Sequence, residues 1–503
     1  METDDLFHSS SRRIAEFSEM QVRLYRHDIT LQDYFMQLQL GTLSKPGASS
    51  RDQRHVRPLL NFAIRGVDQV SRLLSRQKYK TDVLFCPAPY YDRKTENRLT
   101  VRTLLGLART DAKILCLLEA GAPIRKDLDI QLAAAGRTKQ VEFVDPTGSS
   151  NPIEMRLRVR SARMRALSTL REIALVLDRG ELNLRLETQS GFEHTAYYVD
   201  AWERLAPLID FETAVTRCHW NTICSSVCRT AQERGKLAVT FQQGVIGHTL
   251  DVPVTATKYV TFGQSSASFL SKVNDRFFKA AGIPEPRVEY VEGGCLIDTV
   301  SALPDQFNVK TLLMVDVQVN PGDFYGIGDQ CKALLQLAEK LLNANLPLRR
   351  LIIRPHPYWS DLDLESVQNL VREHSTRCEL SHPAWSLEDD LRRSSVAIGI
   401  FSGALTVASA CGLPTFFLKT EKGFMTEDLA CFSDGQTCFP EDGFREIGKI
   451  MQDQRAYTDA RNIALKNARK YYANGTNLDL SASFFERMLR NGVTQNHPEK
   501  TLR

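Results

Sequence analysis

The chain has 503 residues, of which 43% are hydrophobic and 25% charged, with 64 Lys and Arg against 60 Asp and Glu. That length exceeds one ordinary hydrophobic core, so the composition calls for two or three globular domains and excludes a disordered or fibrous chain. A net charge of +4 is a weak pull towards an anionic ligand or surface and falls well short of a nucleic-acid signature.

No apolar run reaches the ~18 residues of a membrane span, and the opening METDDLFHSSSRR lacks an apolar signal core. The expected location is therefore the cytoplasm. Eleven cysteines, an odd number without a disulfide spacing, agree with a reducing compartment.

In chain order, residues 1–78 read as a helical N-terminal extension with a loop at SKPGASSRDQ. Packing on the next domain is the expected role of this extension, and touching a membrane surface or a partner is the alternative. From about residue 79 short apolar runs alternate with helical stretches: DVLFCPAPYY, NRLTVRTLLGLARTD, AKILCLLEAG and KQVEFVDP, then a long charged helical region at 153–185. A cysteine-bearing helix is expected from about Phe211 to Glu233, followed by the strand KLAVTFQQG. Within that helix, Cys224 and Cys228 share a face near Cys218 and His219, but no second ligand pair follows. Buried, reduced thiols are expected there, and no metal.

A second series begins after KAAGIPEPR, with VEYVEGG read as its first strand. Strands follow at TLLMVDVQVN, LRRLIIRPHP, CELSHP, VAIGIF and PTFFL, separated by helices, and the chain ends in helical segments. Glu441–Gly443 reads as a turn. Alternation of this kind predicts βαβ units and parallel sheets. The expected architecture is α/β: a first Rossmann-like domain over 79–270, a second over 285–480, and a tail over 481–503.

Ligands of open α/β sheets bind at the carboxyl ends of the strands. Two such ends carry suitable chemistry. After VAIGIF, Ser402 can cap a helix starting near Gly403, whose N-terminal amides and dipole suit a phosphate; Thr406 adds a hydroxyl one turn in. After LRRLII, Arg354 offers forked donors and His356 a ring N–H, with Pro355 and Pro357 stiffening the loop. Together they predict a nucleotide phosphate held between two loops of the second domain.

These motifs, with SG…T…ACGLP after the last of them, resemble bacterial glycosyltransferases of the two-Rossmann GT-B type, whose two domains face a cleft. The similarity is greatest to the surface-polysaccharide group that uses CMP-activated sugars, sialyltransferase-like and Kdo-transferase-like enzymes among them. The resemblance implies that His356 and Pro357 meet the cytidine or its phosphate, and that Ser402, with Thr406 as a further candidate, meets the phosphate, while the missing side chain of Gly403 lets the ligand approach the backbone closely. The stretch Gln242-Gln243-Gly244, with Pro253 and Phe262-Gly263, is similar to the Gln-His-Gly region of capsule-type transferases and would border the cleft.

Two departures matter. Val407 stands where UDP- and GDP-sugar enzymes place a ribose-binding Glu, which favours a CMP-linked donor. Gln243 replaces the His, so a general base must come from elsewhere: Asp92 first, then Asp145, then His248, with Glu292 a further contact to donor or acceptor. What the resemblance implies is an inverting transferase with a glycan, lipid-linked or protein acceptor, no cofactor beyond its nucleotide-sugar substrate, and peripheral association with a membrane face. UDP-sugar transfer, epimerisation, CDP-polyol transfer and a non-catalytic scaffold are the competing readings.

Overall fold

The computed structural model describes residues 12–35 and 79–490, apart from residues 30, 33, 88–93, 120–121, 147–151, 179–185, 220–221, 243, 245, 247–251, 296–301, 318–326, 356–360, 383, 401, 421–434 and 473–480. Its backbone forms two all-parallel sheets, each flanked by helices. The first contains β1 (Tyr79–Cys86), β2 (Ile114–Leu117), β3 (Val141–Val144), β4 (Ile209–Thr216), β5 (Leu237–Phe241), β6 (Lys258–Thr261) and β7 (Glu289–Glu292), ordered β3-β2-β1-β4-β5-β6-β7. The second contains β8 (Thr311–Val317), β9 (Arg350–Pro355), β10 (Cys378–Leu380), β11 (Val396–Gly399), β12 (Thr415–Leu418) and β13 (Thr437–Cys438), ordered β10-β9-β8-β11-β12-β13. Both are doubly wound, with the strand order reversing between β1 and β4 and between β8 and β11. The expected pair of Rossmann-like domains is the fold observed.

Full burial explains why these strands read as apolar runs. β2, β5, β6, β11 and β12 are buried along their whole length, as a sheet covered on both faces requires.

Helices α1 (Arg12–His27), α2 (Lys94–Leu107), α3 (Ile124–Ala134), α4 (Pro152–Val176), α5 (Leu186–Leu205), α6 (Thr222–Glu233) and α7 (Gln264–Ala281) belong to the first half. α8 (Ile327–Asn343), α9 (Asp361–Glu373), α10 (Leu387–Arg392), α11 (Gly403–Ala410), α12 (Pro440–Gln452) and α13 (Gln454–Tyr471) follow the second sheet's strands, and α14 (Ala482–Leu489) comes last.

Three sequence expectations change. Residues 209–216 are strand β4 in the middle of the first sheet, not the start of a helix. The alternation Ile209, Phe211, Thr213, Val215 is a strand pattern, and helix α6 begins only at Thr222. VEYVEGG forms β7, which pairs with β6 and closes the first sheet, so the first sheet extends past residue 285 to Glu292. Glu441–Gly443 is the first turn of α12.

The N-terminal helix packs as an extension of the first domain. Tyr25 sets its ring edge-on to Phe277 and Phe278, at centroid distances of 5.3 and 5.6 Å, and Arg26 Nε donates to the carbonyl of Ala281 at the end of α7. At the other terminus, α14 returns to the first domain. Phe484, Phe485 and Met488 enter the core formed by β1, β2 and α2, and Lys258 Nζ donates to the carbonyl of Arg490 at 2.7 Å, a cation at a helix C-terminus.

Ten described cysteines are buried free thiols. Burial pushes Cys378, Cys411 and Cys438 up to about 12, which keeps them protonated and unreactive at neutral pH.

Gly106 makes the return of α14 possible: a Cβ on it would lie 2.1 Å from the ring of Phe485. Gly→Ala inside a helix ordinarily stabilises by ~1 kcal/mol. Gly106→Ala is expected to do the reverse, costing about 1–3 kcal/mol in urea unfolding because the buried ring must move.

Candidate active site

The second sheet puts the features expected to meet a phosphate in a defined place. β11 ends at the reversal of strand order, and α11 starts just after it. Ser402 has extended backbone and its Oγ accepts from the N–H of Ala404 at 2.9 Å, the N-cap that the sequence predicts. The cap satisfies one of the amides that a helix start cannot bond internally, and the helix itself offers no partner to those of Gly403 and Leu405. Gly403 is exposed, and a Cβ on it would meet nothing within 4 Å. Among the described residues, a helix N-terminus carrying partial positive charge therefore opens onto unoccupied space at the carboxyl end of the sheet.

Thr406 is not part of that opening. Its side chain is buried, with Oγ1 bonded to the carbonyl of Gly403 and to the hydroxyl of Tyr472. Val407 is buried in the second core.

Arg354 takes a different role from the one expected. Its Nη1 donates to Asp390 Oδ2 at 2.6 Å, and the Asp390 side chain is fully buried. Ser381 Oγ donates to the same oxygen, and the carbonyls of Trp385 and Ser386 lie 3.3 Å from Arg354 Nη1. The guanidinium thus ties the exit of β9 to the loop after β10 and to α10. His356 and Pro357 follow it but lie outside the described residues. β9 and β11 are not neighbours in the sheet, because β8 runs between them. The two motif-bearing ends are consequently ~10 Å apart, two strand spacings.

The remaining motifs meet at Tyr471 and Tyr472, at the end of α13. Gln242, after β5, donates from Nε2 to the Tyr471 hydroxyl at 3.0 Å and to the carbonyl of Gly244 at 2.8 Å, while its Oε1 accepts from the N–H of Phe262 at 2.7 Å. The Phe262 ring stacks on Tyr472 at 5.8 Å and stands edge-on to Tyr471 at 5.9 Å. Ser265 Oγ donates to the carbonyl of Lys470. Gln242 is buried and spent on this junction, leaving Gly244 as the exposed member of its motif; Gln243 lies outside the described residues.

On the first sheet, Asp92 follows β1 and His248 follows β5, and both lie outside the described residues. Asp145 is half-buried at the end of β3, and Glu292 is exposed at the end of β7. These are the two edge strands, far from the reversal between β1 and β4. Sequence reasoning missed Arg217 at that reversal and noted His219 only as a neighbour of the helix cysteines. Arg217 and His219 follow β4 and are buried, with the Arg217 N–H donating to the carbonyl of Cys86 at the end of β1. Their place at a strand end was hidden because β4 was read as helix. Glu119, which accepts a hydrogen bond from the Tyr198 hydroxyl, is a further carboxylate just beyond β2.

No family model matches the chain, and no curated protein does. Among solved structures, similar chains include a UDP-GlcNAc 2-epimerase from Neisseria meningitidis (13% identity, 82% of this chain and 100% of that chain, TM-score 0.45). Others are a glycosyltransferase from Rickettsia africae (11%, 82% and 100%, 0.43) and MurG from Acinetobacter baumannii (11%, 78% and 96%, 0.39). With TM-scores this low, the strand orders above remain the ground for the fold.

Removing the guanidinium would leave the Asp390 carboxylate buried without its cation. Arg354→Ala is expected to cost about 3 kcal/mol in chemical unfolding. A wild-type unfolding midpoint in that variant would show that the pair contributes nothing to the fold.

Proposed function

We propose that the chain is an inverting glycosyltransferase that takes a nucleotide-activated sugar and passes it to a hydroxyl acceptor. One observation carries this reading: the capped N-terminus of α11, at the reversal of the second sheet, opens beside Gly403 onto space that no described residue fills. A phosphate there would receive amide hydrogen bonds along the helix dipole. The nucleoside would extend across the end of β8 towards the exit of β9, where the Arg354–Asp390 pair holds the strand end and His356 and Pro357 follow in sequence.

In the transfer, a base removes the acceptor proton and the acceptor oxygen forms its bond to the anomeric carbon. The bond from that carbon to the phosphate oxygen breaks, and the nucleotide leaves with the electron pair. Its growing negative charge calls for fixed donors, which a preorganised helix end supplies without reorganisation. Asp92 is the proposed base, because it follows β1, the strand bordering the reversal of the first sheet. The finer proposal is a CMP-linked donor of the 3-deoxy-ulosonic or sialic class, favoured by the aliphatic Val407 where a ribose-binding carboxylate would otherwise stand. The acceptor class proposed is a hydroxyl of a bacterial surface glycan or glycoconjugate.

Calorimetric titration with CMP, CDP, UDP and GDP tests the donor. Cytidine nucleotides are expected to bind, and at 100 times the dissociation constant to stabilise the fold by about 2.7 kcal/mol. Binding of UDP alone would overturn the CMP assignment, and binding of none would overturn the transferase reading.

Gly403→Glu tests the place. The open space around Gly403 accepts a side chain, and a carboxylate in the first helical turn is no burden, so the melting temperature should hold. Nucleotide affinity should fall at least tenfold. Asp92→Asn should retain donor binding and lose most of kcat; full activity in that variant would assign the base elsewhere.

A further inference from the structure

Six large hydrophobic side chains are conspicuously exposed among the described residues, and four of them lie on α4: Leu157 (60%), Val159 (48%), Met164 (62%) and Leu175 (77%). The spacing is orderly. Met164 follows Leu157 by seven residues and Leu175 follows Met164 by eleven, close to two and three helical turns, so the three side chains form one stripe ~27 Å long. The opposite face of the same helix is spoken for: Ala162, Ala166, Leu170 and Ile173, with Leu177 just past its end, pack against Met20, Leu24, Tyr34 and Phe35 in a separate small core.

The charge on α4 is equally one-sided. It carries six arginines, at 156, 158, 160, 163, 165 and 171, and two acidic residues, Glu154 and Glu172. Glu172 is bonded to His27, and Arg165 to Glu203 of α5. Arg156, Arg160, Arg163 and Arg171 are exposed. At 100° per residue they lie along one flank of the aliphatic stripe. An aliphatic ridge beside a row of guanidinium groups matches the boundary between acyl chains and anionic headgroups, where the long arginine stems reach the phosphates while the ridge enters the apolar layer. A nucleic acid would satisfy the arginines but would leave the aliphatic ridge in water.

We propose that α4 is a membrane-docking helix that seats the first domain on an anionic lipid surface. Charge argues against residues 36–78 covering this face: they contain eight Lys or Arg and two Asp, the same sign as the helix they would have to cover. The same argument disfavours a second copy of α4 packed on the first. No helix among the described residues is long and apolar enough to cross a membrane, so the attachment is to the surface.

The test is co-sedimentation of the full chain with phosphatidylcholine vesicles, with and without phosphatidylglycerol. Binding is expected to require the anionic lipid and to weaken at least tenfold as salt is raised from ~0.1 to ~0.5 M. Two double variants, Met164→Glu with Leu175→Glu and Arg160→Glu with Arg163→Glu, alter only exposed positions. Each should keep the wild-type melting temperature and lose vesicle binding at least tenfold.

Absence of binding to the anionic vesicles would overturn the proposal, as expected if residues 36–78 or a second copy cover the stripe. Equal binding by the variants would also overturn it. So would wild-type sedimentation as a dimer that the Met164→Glu and Leu175→Glu changes convert to monomer. Salt-sensitive binding to an RNA homopolymer with none to vesicles would assign the arginines to nucleic acid instead.

Discussion

The relation between the two sheets depends on a pair of adjacent tyrosines. Tyr471 and Tyr472 end α13 and insert between the ends of β5 and β6 in the first sheet and the first turn of α11 in the second. Tyr471 engages Gln242 after β5, and Tyr472 engages Thr406 inside α11 while stacking on Phe262 after β6. Each polar group in this junction has a partner, and buried polar networks of that kind fix a single arrangement because a shift would leave donors or acceptors unsatisfied. The aromatic stacking adds packing that tolerates little displacement.

Placing the junction there has a consequence for chemistry. The same short helix, α11, is gripped from behind at Thr406 by the junction and opens in front at Gly403 to the ligand end of the sheet. A ligand bound at its N-terminus would therefore press on an element whose far side touches the first domain. The return of α14 to the first domain, seated by Gly106 and held by Lys258, adds a second crossing between the halves.

Much of this was legible in the sequence, and the failures have physical causes. Fully buried parallel strands such as β11 and β12 write themselves as unbroken apolar runs, and Ser402 before Gly403 is a cap that depends only on neighbouring backbone, so both could be read locally. Strand β4 was missed because only the short turn at 206–208, with Pro207, separates it from α5, and no Gly or Pro divides it from the cysteine-bearing helix that follows. Its loss concealed that Arg217 and His219 stand at the end of a central strand. Arg354 is the clearer lesson. A guanidinium near a strand end suits a phosphate and a buried carboxylate equally well, and Asp390 lies thirty-six positions away, where no local pattern reveals the pairing. Gln242 and Thr406 misled in the same way: the motif positions matter, but their partners are Tyr471 and Tyr472. The relation between β9 and β11 needed the strand order, since β8 precedes both in sequence and separates them in space.

The central claim is that nucleotide phosphate sits on the N-terminal amides of α11. A crystal structure of the chain with the bound nucleotide addresses it most directly. The account predicts a phosphate oxygen about 3 Å from the amide nitrogen of Gly403, with the nucleoside lying across the end of β8. A nucleotide seated at the first sheet, with the space beside Gly403 still empty, would contradict it.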